Sequence, residues 1–466
     1  MTYEAVAIAL GYAAVTGMVL WIETRRTRGS GLDITTIFVA IVVLESCVPG
    51  ILIFGFLPFV DPTSPMGVPV FDRILLAVNS TTAWLVFGMT VWFLIFLYVG
   101  TAVGRMAFGT KDGRHVHAAK LVLSVARARL VGILAVGAVL SLYSFYLLSD
   151  SFISRYTNLI LFRADFPEIE KNAFNANAFA LTQTWGWLSV VACFAFLDNK
   201  KRHWFWFCLG LGLTFALLGV SRRAIFLPIF LSYLTLALYR GRWRIRWIVL
   251  GAIPLIMWLS FGKEIFAAVA FGGTADEVLG NYRSSIGAIF RAGCEVGLTI
   301  VESLGTLLFL HLPMRFGVDH ALSLAQRFPE GMLGWDFNFP ERIVRISTEA
   351  FADPYAQDIP PGLFGQMWLD FRVLGPAVWG VMFGLQVALV QVLFEKTQKT
   401  LQSCAVFVLI IFVVALPIGT GSFDFTFSVD IIALALSLAM CVRFQRAGNP
   451  VLLRTIAAAE LLKTPT

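Results

Sequence analysis

Apolar runs long enough to cross a lipid bilayer recur along the whole chain, and this feature most limits what the chain can fold into. A helix needs about 20 mainly apolar residues to span a hydrocarbon core that is roughly 30 Å thick. Hydrophobic residues make up 58% of the 466 residues and charged residues only 14%. The chain therefore lacks the polar surface of a soluble protein of this length. The sequence predicts an all-α fold, that of a polytopic helical membrane protein.

About eleven segments have the composition of membrane-spanning helices. They lie at about 3–22, 34–57, 74–103, 130–149, 177–197, 204–220, 224–239, 247–262, 367–394, 401–418 and 427–442. The predicted organisation is eight spans with short loops and one smaller outer loop, a large outer loop, three more spans and a tail. The corresponding ranges are 1–262 (with the smaller loop at 150–176), 263–366, 367–442 and 443–466.

Basic residues are concentrated in alternate connections. These connections, at 24–28, 104–129, 198–202, 240–246, 395–399 and the tail from Arg443, hold 22 of the 36 Lys and Arg. Together with their flanking residues they hold only six of the 29 acids. Such segregation marks the cytoplasmic side of a membrane protein, so the N-terminus is predicted to be periplasmic and the tail cytoplasmic. Attraction to anionic lipid explains these loops, and no nucleic-acid partner is expected.

The opposite connections include one that is far longer than a turn. The segment 263–366 is predicted to be a large periplasmic loop with short amphipathic helices, and loops of this length usually carry function. Its part 286–313 is apolar enough to lie in or on the membrane. The sequence leaves open whether that part is interfacial or re-entrant.

Two arginines interrupt an apolar stretch in LLGVSRRAIFLPIF (217–230). The stretch 204–239 would be about 54 Å long as one helix, which is too long for a single span. Two short spans joined at GVSRR are therefore predicted, with Arg222 and Arg223 at the outer turn. Charges at that depth face a polar cavity or a partner, although both side chains could also extend to lipid phosphates. The first interpretation is favoured, and the pair is a candidate phosphate-binding site.

Further candidates lie in the large outer loop. Arg291, Glu295 and Glu302 fall on one face of a helix, with Thr299 beside them. This stripe is either a cavity wall or the wet side of an interfacial helix. Arg283 precedes the stripe, and Arg163 in the smaller loop follows a short apolar segment. Both are secondary candidates for binding phosphate.

The second half of the large loop holds residues suited to binding sugar or lipid headgroups. Arg342 and Arg345 are three residues apart on a predicted short helix. Trp335 and Tyr355 could stack on sugar rings, although simple loop packing explains either equally well. Asp353, Asp358 and the histidines His311 and His320 could accept a proton. No metal-binding, nucleotide-binding or other cofactor motif is found where it would make sense, so neither a metal nor a cofactor is expected.

The order of these features resembles a known family. The GVSRRAIF turn is followed by the long outer loop and then by IPPGLFGQMWLDFRVLGPAVWGVMFGL (359–385). This arrangement is similar to that of the bacterial O-antigen and oligosaccharide repeat-unit polymerases, especially the enterobacterial common antigen polymerase type. The matching closing segment contains Pro360, Pro361, Gly362, Gly365, Phe371 and Gly375. An Arg–ten residues–Gly pattern found in some O-antigen polymerases is missing from both outer loops, which argues against that subgroup.

The resemblance implies a metal-independent glycosyltransferase of the GT-C type in the bacterial inner membrane. Such an enzyme transfers a glycan from undecaprenyl pyrophosphate to the terminal sugar of another lipid-linked repeat unit at the periplasmic face. Its expected partners are the lipid-linked oligosaccharide, membrane lipids and a chain-length regulator protein. Arg222, Arg223 and Arg291 would stabilise the charged leaving group, and Glu295 or Glu302 would accept the proton of the sugar hydroxyl. An O-antigen ligase and a transporter or flippase of lipid-linked oligosaccharide remain alternatives.

Overall fold

The protein is a bundle of apolar helices in a computed structural model. The structure describes residues 2–28, 31–59, 74–109, 121–148, 155, 173–219, 222–243, 298–320, 343–351, 360–423 and 428–446. Six helical segments among these residues are long and apolar enough to cross a membrane. The expectation of a helical, membrane-embedded protein is therefore confirmed, whereas the count of eleven spans stays a prediction. The predicted span at 247–262 lies outside the described residues.

The helices follow the apolar runs closely. The helical elements are α1 (Thr2–Arg26), α2 (Ile34–Val42), α3 (Val48–Phe56), α4 (Ser80–Phe108), α5 (Arg127–Tyr146), α6 (Ala173–Asp198), α7 (Arg202–Gly219), α8 (Arg222–Arg240), α9 (Leu298–Phe309), α10 (Ile343–Phe351), α11 (Leu363–Phe371), α12 (Gly375–Lys396), α13 (Leu401–Thr420) and α14 (Val429–Cys441). A π-helical turn, Val43–Cys47, joins α2 to α3. Pro49 accounts for that turn, because proline has no N–H to donate to the carbonyl of Glu45 four residues earlier.

Two small strands depart from the all-α expectation. Strand β1 (Leu121–Val125) pairs with β2 (Val442–Arg446) in an antiparallel sheet. Alternation explains β1, since Leu123 and Val125 are buried while Ser124 between them is less so. Strand β1 lies in a predicted cytoplasmic connection and β2 begins at the last residue of the final predicted span, and their pairing joins two segments far apart in the chain.

Helices α4 and α12 pack closely against each other. Gly100 and Gly104 of α4 are four residues apart, as are Gly380 and Gly384 of α12. A Cβ on Gly100 would lie 2.4 Å from the carbonyl oxygen of Val381. Small residues at this spacing allow helix backbones to approach each other, which is the usual basis of helix association in membranes.

The basic connections meet at one end of the bundle. Leu32 donates from its backbone N–H to the carbonyl of Gly241 (2.9 Å), and Arg105 pairs with Glu395 (2.8 Å). Residue Leu121 of β1 also bridges to Thr397. The connections after α1, α4, α8 and α12 therefore share this end with β2, and it is called the basic end below. The first residues of α4, α8 and α12 lie at the opposite end, since each of these helices ends at the basic end.

The predicted span 367–394 is not one helix. Helix α11 ends at Phe371, a 3₁₀ turn covers Arg372–Leu374, and α12 begins at Gly375. Arg372 has a positive φ of 52°, which is unusual for a residue with a side chain. A Cβ on Gly375 would lie 1.9 Å from the carbonyl oxygen of Met367. Only glycine fits there, and the chain turns sharply at the opposite end of the bundle.

Candidate active site

Helix α9 carries the predicted site residue that the structure describes most fully. Glu302 is 4% exposed, and Thr299, Ser303 and Thr306 on the same helix are at most 1% exposed. These polar residues are enclosed by other parts of the bundle, so this part of α9 is not an interfacial helix with a wet side. Its 12 residues extend about 18 Å, which is too short to cross the membrane.

The Pro-Pro-Gly segment before α11 packs on the polar side of α9. Thr306 donates from its hydroxyl to the carbonyl of Pro361 (2.7 Å), and the Thr299 hydroxyl accepts from the backbone N–H of Leu363 (2.8 Å). The N–H groups at the start of α11 have no partner within that helix. The hydroxyls of Thr299 and Ser303 accept from two of these groups, the N–H groups of Leu363 and Gly365, and this explains why α9 has polar residues within an apolar stretch.

Gly362 makes this contact possible. Its φ of 73° and ψ of 149° suit glycine alone. A Cβ there would lie 2.4 Å from the backbone nitrogen of Ser303 and 2.6 Å from the carbonyl oxygen of Thr299. The segment that carries the family resemblance is thus in direct contact with the helix that carries Glu302.

A third segment completes the surroundings of Glu302. The residues Gly419–Phe423, here called the GTGSF segment, form the end of α13 and the turn after it. A Cβ on Gly421 would lie 2.6 Å from Oε2 of Glu302, and Gly421 has a left-handed φ of 67°. A Cβ on Gly419 would lie 3.4 Å from the carboxylate of Glu45 in the π-helical turn. The GTGSF segment therefore brings two carboxylates from different helices to the same region of the bundle.

The GTGSF segment is held by a buried polar network. Ser422 donates from its hydroxyl to Oε1 of Gln366 (3.0 Å). The amide of Gln366 donates in turn to Asp319 (3.2 Å), and Asp319 forms a salt bridge with Arg315. Gln366 and Asp319 are fully buried. Because each buried polar group here has a partner, the network stabilises one arrangement of these segments.

Asp370 and aromatic rings extend this network. Asp370 accepts from the backbone N–H of Gly317 (3.1 Å) and from Nε1 of Trp379 (3.0 Å). The ring of Trp379 stacks on Phe423 with centroids 3.9 Å apart. His320 lies 5.7 Å from both rings, and burial lowers its pKa. A neutral imidazole suits this aromatic environment, and His320 remains a candidate proton acceptor.

Helix α8 begins with the arginine pair. Helix α7 ends at Gly219, and α8 begins at Arg222, so 204–239 forms two helices and not one. Arg222 and Arg223 are the first two residues of α8, at the opposite end from the basic end. The backbone N–H groups at a helix N-terminus attract anions. The side chains of both arginines are outside the described part of the structure.

Most other predicted site residues lie outside the described residues. They are Arg163, Arg283, Arg291, Glu295, Trp335, Arg342, Asp353, Tyr355 and Asp358. The predicted short helix around Arg345 is observed as α10, although the side chain of Arg345 is not described. No group of three or more His, Cys, Asp or Glu side chains within the described ranges is placed to hold a metal ion.

Sequence reasoning missed the GTGSF segment and its network. Two signals were available. Glycines alternate with small polar residues in GTGS just after an apolar helix, and Gln366 and Asp370 are polar residues four apart in an apolar segment. Neither pattern shows which distant residues these groups contact.

Comparisons with known proteins find no match for this chain among family models, curated proteins or solved structures.

Proposed function

We propose that the protein is a polysaccharide polymerase of the bacterial inner membrane. In this proposal it has eleven spans and a periplasmic N-terminus, and the basic end faces the cytoplasm. It transfers a glycan from undecaprenyl pyrophosphate to the terminal sugar of a second lipid-linked repeat unit. The observation that carries the proposal is the burial of Glu302 beside Gly421, on the helix against which the Pro-Pro-Gly segment packs.

Glu302 is suited to accept a proton. A buried carboxylate held by its surroundings is a candidate general base if an acceptor hydroxyl reaches it. Gly421 presents backbone without a side chain beside it, and Gly362 lies next to Gly421. In the proposed step, the acceptor oxygen bonds to the anomeric carbon of the donor glycan. The bond from that carbon to the pyrophosphate oxygen breaks, and the hydroxyl proton passes to Glu302.

The leaving group needs positive charge. Pyrophosphate gains negative charge as the glycosidic bond breaks, and fixed cationic groups stabilise that charge. Arg222 and Arg223 occupy the first turn of α8, where the helix dipole adds to their charge. This stabilisation requires no metal ion. The GTGSF segment beside Glu302 closes α13, which runs from the basic end toward the end of the bundle where α8 begins.

The orientation follows from the charge distribution. Connections rich in Lys and Arg normally remain in the cytoplasm, and five of the elements that carry them meet at the basic end. The opposite end is then periplasmic. Nucleotide sugars are absent from that compartment, which favours a lipid-linked glycan as the donor.

The test is reconstitution of the purified protein in vesicles with an undecaprenyl-pyrophosphate-linked repeat unit, with product length read on a gel. Wild type is expected to form a ladder of lipid-linked glycans. Glu302→Gln is expected to reduce the rate by about 10²–10⁴-fold, the usual contribution of a general base. Glu395→Gln is the matched control, since Glu395 is exposed at the basic end. If both variants form ladders at the same rate, Glu302 is not the proton acceptor of the reaction.

A transporter of lipid-linked oligosaccharide is the second candidate, and one observation favours it. The break between α11 and α12 creates a discontinuous span, and the buried Asp370 and Asp319 lie beside it. Transporters often use such broken helices and buried charges. Movement of the glycolipid across the vesicle membrane without any ladder would support this function. Transfer of the glycan to lipid A core, without a ladder of longer products, would instead indicate an O-antigen ligase. His320 or His311 would then be the proton acceptor.

A further inference from the structure

A cleft at the opposite end from the basic end is separate from the surroundings of Glu302. It has a volume of about 420 Å³ and lies between the start of α4, the end of α9 and the break after α11. Its size is within the range of small-molecule sites. Glu302 and Leu307, which lines the cleft, are five residues apart on α9 and point about 140° apart around the helix.

The polar groups of the cleft favour an anion. Thr81, His311 and Arg372 line it together with Trp368. These side chains include hydrogen-bond donors and a permanent positive charge, and the lining has no carboxylate. Within the described part of the chain, Arg372 forms no salt bridge. Its guanidinium group is therefore not neutralised by an acid there.

Arg372 is held in place by its surroundings. One guanidinium nitrogen donates to the carbonyl of Leu312, and the group lies over the Trp368 ring at 5.6 Å from its centroid. The positive φ of Arg372 is strained for a residue with a side chain and persists where surrounding contacts enforce it. The remaining guanidinium N–H groups suit a phosphate, which arginine binds through two parallel hydrogen bonds.

Apart from Thr82, the remaining lining and the rim of the cleft are apolar. Leu85, Leu307 and Leu310 line it. Val373 and Leu374, the residues that follow Arg372, are 62% and 65% exposed. Exposed apolar side chains beside a membrane-spanning helix contact lipid, so the cleft opens toward the hydrocarbon core as well as the headgroup layer.

We propose that this cleft binds an anionic lipid of the leaflet at this end of the bundle. The lipid phosphate accepts hydrogen bonds from Arg372 and His311, and the first part of its chain lies along Leu85, Leu307 and Leu310. The site does not depend on the proposed transfer reaction, because it uses neither Glu302 nor the arginines of α8.

Titration of the full-length protein in a neutral detergent, with bound lipid counted by native mass spectrometry, tests the proposal. Phosphatidylglycerol is expected to bind saturably, whereas uncharged diacylglycerol is not. Arg372→Gln is expected to weaken phosphatidylglycerol binding by about tenfold, since a hydrogen bond to a charged group contributes about 1.5–3 kcal/mol. Arg105→Gln is the matched control, because Arg105 is an exposed arginine at the basic end.

A second variant protects the test against misfolding of Arg372→Gln. Thr81 is exposed and lines the cleft, so Thr81→Trp fills the cleft without entering the core. It is expected to weaken binding at least tenfold, and Thr24→Trp, at an exposed threonine of the basic end, is expected to have no effect. Unchanged binding by Thr81→Trp would overturn the proposal. Inorganic phosphate that displaces the lipid at equal concentration would also overturn it, because the site would then bind free phosphate.

Discussion

Gly362→Ala tests the contact on which the candidate site depends. The added Cβ would lie 2.4 Å from the Ser303 nitrogen and 2.6 Å from the Thr299 carbonyl oxygen. Both are backbone atoms of α9, so neither can move aside by side-chain rotation. The φ of 73° with ψ of 149° costs a residue with a Cβ about 1–3 kcal/mol. Overpacking in a filled core typically costs a further 1–3 kcal/mol.

The expected destabilisation is therefore about 2–6 kcal/mol, a large part of the roughly 5–15 kcal/mol that stabilises a typical protein. Thermal unfolding in detergent, followed by tryptophan fluorescence, measures it as a fall of several degrees in the apparent melting temperature. Gly132→Ala is the matched control. A Cβ at Gly132 on α5 would meet no atom within 4 Å, and alanine in a helix is favoured over glycine by about 0.5–1 kcal/mol.

A double variant separates the backbone collision from a side-chain one. A Cβ at Gly362 would also lie 2.5 Å from the Ser303 hydroxyl, and Ser303→Ala removes that atom. Because the backbone contacts remain, the double variant is expected to stay as unstable as Gly362→Ala. Recovery of stability in the double variant, or a wild-type melting temperature for Gly362→Ala, would refute the packing of the Pro-Pro-Gly segment against α9.

Three further changes have defined outcomes. Gly421→Asn tolerates the left-handed φ but still places a Cβ near Glu302. The relative loss of polymerisation rate should therefore exceed the relative loss of thermal stability. Burial alone would raise the pKa of Asp33, but its ion pair at the basic end lowers the net pKa below 3.8. Asp33→Asn should therefore lower the melting temperature above about pH 5. The difference in melting temperature between wild type and variant should vanish as the pH falls below the pKa of Asp33 in the folded protein. A difference that grows on acidification would contradict this. Trp379→Phe removes a donor from the buried Asp370 and should cost about 1–3 kcal/mol in denaturant unfolding, so unchanged stability would be evidence against that bond.

The sequence alone determined the helical framework. Apolar runs of membrane length predicted the helices, because the hydrocarbon core requires both the length and the composition. The 36-residue stretch with two central arginines predicted a break, and α7 ends at Gly219 with α8 starting at Arg222. Glu302 was predicted to lie on a helix, and α9 contains it.

Only the tertiary structure decided what surrounds Glu302. Gly362, Gly421 and Glu302 come from three separate elements, and contacts between distant segments leave no periodic pattern in a sequence. The break at Arg372 and the pairing of β1 with β2 were missed for the same reason. Each depends on close approach of backbones, which is set by the packing of the whole bundle. Apolar length and charge determine where helices form, whereas glycine contacts and buried hydrogen bonds determine which side chains they bring together.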